Sequence, residues 1–289
     1  GSSKVVANGQ ESAAQNADEP KLEAEKSHTQ ESAVAEVAEV NGTKYATLQE
    51  AFDAATDNCT ISVLTNVDLG TESVSNYETK AKNVTVDFGG NKITSAGDYT
   101  LAPLASNWIF ENGTIENTKA AALYGAVMVS LGSPQTIFKG GSNGLSIVSK
   151  TNGIFIKTNN GNPVLTIEDG VTVSGKIGAY LSGATTAPWR GQYSGTKTLN
   201  VAGGSIDGIE AGVFVVGPIT KNAKECIVAN ISGGTITGAY YAVAGNGESG
   251  HNGTKVNISG GTLKSTGADG AGIYHPQKGA LNISGGTIE

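Results

Sequence analysis

Few groups in this chain could do chemistry. Its 289 residues include three histidines, two cysteines and one arginine, Arg190. Glu111 and Glu168 each stand two residues before the glycine of a recurring turn, and Asp169 follows the second. Paired carboxylates are what glycoside hydrolysis uses as acid, base or nucleophile. If the chain were an enzyme, these three would be its catalytic residues. Two repeats set Glu111 and Glu168 about 10 Å apart, slightly beyond the ~6.5–9.5 Å of an inverting pair. Asp87, Asp207 and Asp269 lie at other offsets and do not converge with them. The scattered histidines and cysteines make no zinc spacing, and the glycine turns precede no helix that could cradle phosphate. No cofactor and no metal are expected.

Recognition is the stronger chemistry. Aligned on glycines 125, 153, 178, 212, 238 and 272, the residue two further on is Val127, Phe155, Tyr180, Phe214, Tyr240 and Tyr274. Aliphatic residues flank these rings and Lys157 shares their parity, which points the column outward; the alternative is that the rings fill the core. Outward rings offer large contact area at small entropic cost. The loop 185–193 adds Trp189, Arg190 and Tyr193, the residue types that dominate binding hot spots; the competing reading folds Trp189 back over a groove. Binding is therefore assigned to Phe155, Tyr180, Trp189, Arg190, Tyr193, Phe214, Tyr240 and Tyr274. A second loop, 246–252, carries Glu248 and His251.

What must position these residues is a repeat. The phrase NISGGTI at 282–288 recurs as NISGGTL at 257–263, NISGGTI at 230–236 and NVAGGSI at 200–206, with weaker copies upstream. Marker glycines at 90, 113, 141, 170, 204, 234, 261 and 286 are 23 to 34 residues apart, a period that means a solenoid. In each copy apolar residues flank one asparagine, a period of two that reads as a half-buried strand, and Gly-Gly then permits a corner. Stacking such coils about 4.8 Å apart lines up Asn200, Asn230, Asn257 and Asn282 as one ladder and Ser205, Thr235, Thr262 and Thr287 as another. The expected fold is all-β, a right-handed parallel β-helix.

The NISGGTI phrasing, with the segment YATLQEAFDAA at 45–55, resembles the pectate-lyase-like parallel β-helix superfamily, as found in surface proteins of gut-dwelling Gram-positive bacteria. That superfamily holds lyases, hydrolases and non-catalytic adhesins, so the resemblance implies the fold more than the activity. Its lyases need acidic calcium ligands and a basic proton acceptor, and no acids surround Arg190. The paired aspartates and Gly-His-Gly of its polygalacturonase-like hydrolases do not occur here.

Glycine, at 41 residues, lacks the triplet period of collagen. Net charge is −7. Residues 1–40 hold eight acids against three lysines, and no basic stripe invites nucleic acid. Residues 1–39, opening on a Gly-Ser resembling a tag scar, read as a disordered leader, and 40–289 as the β-helix. Thr47 and Glu50 form a capping box over the stripe Leu48, Ala51, Phe52 and Ala55, a short helix suited to lid the first coil. No stretch crosses a membrane, and the last repeat stops without a cap, as expected of a fragment. Cys59 and Cys226 stand too far apart to pair. The expectation is a monomeric, extracellular or wall-attached, non-catalytic module binding a mucin-like host glycan or a host protein such as immunoglobulin. The alternatives are a polysaccharide lyase or glycoside hydrolase, and a passive stalk.

Overall fold

The computed structural model describes residues 35–183, 193–218, 224–246 and 253–289. They form a parallel β-helix of about eight turns whose coils present three faces. On the first face Thr60–Val63 is followed, one coil at a time, by Val84–Asp87, Trp108–Glu111, Gln135–Lys139, Val164–Ile167, Ser194–Val201, Lys224–Ile231, Thr254–Ile258 and Ala280–Ile283. Every one of these pairings is parallel. The second face runs from Val67–Asp68 to Thr287–Ile288, and the third from Val74–Ser75 to Ala271–Tyr274. Two long strands, Val171–Ser182 and Ser205–Val216, bend from the second face into the third, with a register shift between Gly175 and Ile177.

Alternation fixes what faces inward. On Lys224–Ile231 Ala229 and Ile231 are buried while Asn230 is half-buried. Asn230 donates to Asn200 at 3.0 Å, Asn257 to Asn230 at 2.8 Å and Asn282 to Asn257 at 2.8 Å, so the expected amide ladder is present. The Ser205, Thr235, Thr262 and Thr287 column is present as well. Each turn needs a left-handed residue, and Gly170, Gly204, Gly234, Gly261 and Gly286 all have positive φ. In the WIFENGTI copy this place belongs to Asn112, with φ +65°, and not to Gly113. Asparagine tolerates the conformation, and its side chain donates to Asp87 at 2.8 Å.

The first coil is covered by more than the expected helix. Thr47 caps Leu48–Asp53, accepting from the Glu50 amide at 3.1 Å. Phe52 from this helix lies 5.2 Å from Trp108, plugging the core beside Phe110. A hairpin of Ala38–Val40 and Thr43–Tyr45, turning at Asn41-Gly42 with φ of +50° and +81°, pairs antiparallel with Thr60–Val63. The pairing thus takes in Ala38 and Glu39, ahead of Val40, and the antiparallel strand covers the parallel ladder at that edge. Cys59 is buried, Cys226 is half-buried, and both thiols are free.

One corner of the coil hides charge. Lys197, on the first-face strand Ser194–Val201, has no exposed surface. Its Nζ donates to the main-chain oxygens of Asn159 and, at 2.8 Å, Ser194. Glu225, one coil on, is also buried and accepts from Thr158 Oγ1 at 2.5 Å. Burial pushes the Lys197 ammonium below its usual range, and the negative charge of Glu225 opposes that shift.

Candidate functional site

The third face carries the rings outward. On Asn152–Ile156 Ile154 and Ile156 are fully buried while Phe155 between them is half-buried, and the same holds for Tyr180 between Ala179 and Leu181. Phe155 is directly beneath Tyr180 and Tyr180 beneath Phe214. Centroid separations are 5.1 and 5.2 Å, close to one coil step. Burial raises the Tyr180 hydroxyl pKa, opposed by a hydrogen bond with Ser182.

The column differs from the sequence alignment at two coils. Phe214 is paired with Ala244, and Ala244 with Tyr274, so Tyr240 is not in the column. Phe155 is paired with Met128, so Val127 points inward with Ile154. The true run is Met128, Phe155, Tyr180, Phe214, Ala244 and Tyr274. Two further rings reach it from the corner preceding the face. Tyr124, just before Gly125–Val129, lies 5.3 Å from Phe155, and Tyr241 stacks on Tyr274 at 4.7 Å with 14° between planes. Tyr99 continues the stack beyond Tyr124 at 6.2 Å. Lys157 extends its Nζ to 3.2 Å from the Tyr124 hydroxyl and 5.5 Å from that ring's centroid.

Stacking limits what this face offers. Phe155 and Tyr180 are only 16° from coplanar and face one another along the rod, so what they turn to solvent is largely ring edge. Tyr274 is 43% exposed. Tyr240 is 60% exposed and stands at the corner between the second and third faces. There it shares a groove with Ile209, Glu210 and Asp269.

The carboxylates do not assemble for catalysis. Glu111 pairs in register with Lys139 and ion-pairs with it at 3.4 Å. Glu168 follows one coil further, its amide donating to Phe138. Lys139 therefore stands on the coil between the two acids, paired with Glu111. Glu168, Asp169 and Lys139 line a shallow groove of about 420 Å³ whose floor is Gly140 and Gly141. Among the described residues no group of three His, Cys, Asp or Glu is placed to hold a metal.

Of the other residues named from sequence, Trp189, Arg190, Glu248 and His251 lie outside the described residues. Tyr193 is half-buried at the entry to Ser194–Val201. His275 has Nε2 2.6 Å from the carbonyl oxygen of Gly279. Comparison with models of known protein families, with curated proteins and with solved structures finds no match to this chain.

Proposed function

We propose that this chain is a non-catalytic binding module of an extracellular bacterial surface protein, of the pectate-lyase-like kind, that recognises a host glycan. The outward aromatic stack carries the reading. A rod can bury rings as easily as aliphatics, yet from Phe155 to Phe214 this one sets its rings on the solvent side of a flat face, with Tyr274 further along. A row of fixed ring edges is a preordered apolar surface that costs little side-chain entropy on binding. The interposed Lys139 argues against hydrolysis at Glu111 and Glu168.

The test is a glycan array probed with the wild-type chain and with Tyr274→Ala, whose exposed ring leaves the core untouched. Glycan binding that falls at least tenfold in the variant supports the face. Equal binding by both removes it. Reducing ends or unsaturated products released from polysaccharides, with or without calcium, would replace the module by an enzyme. Capture of a protein such as immunoglobulin with no glycan signal would replace the ligand class.

A further inference from the structure

The exposed ring of Tyr240 belongs to a second surface, formed where three successive coils turn from the second face into the third. The Tyr240 amide donates to the Glu210 carbonyl of the preceding coil at 2.9 Å, and its own carbonyl accepts from Ala271 of the next at 2.8 Å. The backbone is thus pinned from both sides while the side chain remains 60% exposed. Ile209, 72% exposed, stands one coil before it, and Asp269 one coil after.

Glycine keeps the ring uncovered. A Cβ on Gly267 would come within 2.3 Å of the Ala239 carbonyl oxygen, and one on Gly270 within 2.6 Å of the Tyr240 carbonyl oxygen. The later bend therefore lies tight against the earlier one, and the groove has backbone for a floor. Its volume is about 410 Å³, within the range of small-ligand sites. Two acidic residues, Glu210 and Asp269, are among those that line it. Lys176 ion-pairs with Glu210 at 3.6 Å and offsets that charge.

An uncovered ring, an aliphatic wall and two lining acids, one of them offset by Lys176, suit a ligand with an apolar face and a rim of hydroxyl donors. That is a pyranose. Asp269 disfavours anionic sugars, because like charges in contact oppose binding. We infer that the groove around Tyr240 is a subsite for one neutral pyranose unit of a glycan, its ring lying on Tyr240 and its hydroxyls donating to Glu210 and Asp269. This rests on the glycan-binding reading above and narrows it to uncharged sugars.

The experiment measures affinities for a matched panel of neutral oligosaccharides and their sialylated or sulfated forms. Wild-type chain, Tyr240→Ala, Asp269→Asn and Tyr274→Ala are compared, with circular dichroism confirming the fold of each. The wild type is expected to prefer neutral members at least tenfold. Tyr240→Ala should lose at least tenfold on neutral ligands, and Asp269→Asn should bind the sialylated forms at least threefold better than the wild type does. Neutral affinity unchanged within twofold in Tyr240→Ala, or equal wild-type affinity for neutral and anionic forms, overturns the subsite. If Tyr274→Ala abolishes binding while Tyr240→Ala does not, the subsite falls and the aromatic face stands. If no member binds, both fall.

Discussion

Replacing Lys197 by methionine keeps most of the stem and removes one buried charge. In the wild type the ammonium donates to the carbonyls of Asn159 and Ser194, and Glu225 supplies the negative charge that acts on it. Lys197→Met leaves the carbonyls of Asn159 and Ser194 without this donor and removes a positive charge that acts on Glu225. Leaving a buried acceptor unsatisfied costs roughly 1–3 kcal/mol, whereas replacing two interacting buried charges by apolar residues is often neutral or stabilising. The double variant Lys197→Met/Glu225→Leu is therefore expected to recover part of the loss of the single variant, so the two substitutions are not additive. A solenoid can unfold in pieces, so urea melts should be joined by hydrogen exchange at the amides of Ser194–Val201 and Lys224–Ile231. The pH dependence gives a second readout. The folded-state pKa of Lys197 is lowered from 10.5, so between the folded value and 10.5 the unfolded chain binds more protons and stability rises with pH. Below that window the penalty for the buried charge is fully present, and Lys197→Met should lack the rise. A Lys197→Met variant as stable as wild type, or a double variant no better than the single one, would refute the reasoning.

Two further substitutions test the rod. Asn230→Ala removes one amide donated to Asn200 and one accepted from Asn257; at ~0.5–1.5 kcal/mol per bond it should cost about 1–3 kcal/mol in a urea melt. Asn282→Ala, with its one ladder bond to Asn257, should cost less. Gly178→Ala places a Cβ 2.3 Å from Ile206 Cγ2 and 2.6 Å from the Gly212 carbonyl oxygen, overpacking expected to cost about 1–3 kcal/mol; an unchanged melting temperature would show that the coils can separate there.

The two kinds of glycine explain how much of this structure could be read from sequence. Turn glycines such as Gly204 and Gly234 need positive φ, a demand that only glycine and, at Asn112, asparagine meet. Their letters therefore persist and reveal the coil. Gly153, Gly178 and Gly212 are on strands without positive φ, and what they need is a small side chain against the next coil's aliphatic. Alanine partly meets that need, and register puts Ala126 beside Gly153 and Ala242 beside Gly212. Alignment on the glycine letter therefore slipped by one residue at Gly125 and by four at Gly238, and it placed Tyr240 in a column that belongs to Ala244. Tyr124 and Tyr241 escaped for a related reason, since each stands where the chain enters the face and its ring leans over a neighbour's position. Lys197 did carry a signal: between Thr196 and Thr198 it has the core parity of Leu199 and Val201 and is paired with the buried Ile227, so a charge stands at an inward place of the period-two pattern.

That distinction bears on where a ligand meets the rod. Residues obeying the repeat are used up by it: asparagine amides bind asparagine amides, and the rings of Phe155 and Tyr180 cover one another. Unused capacity appears where the repeat is broken. At adjacent bends the register sets Tyr240 over Glu210 and Ala239 over Ile209, so a ring follows an acid, and the next bend brings Asp269. A purely structural corner would keep one small polar residue through all three coils, as the turns keep glycine. The corner instead changes its chemistry from coil to coil, and the proposed subsite draws on that variation and not on the ladder itself.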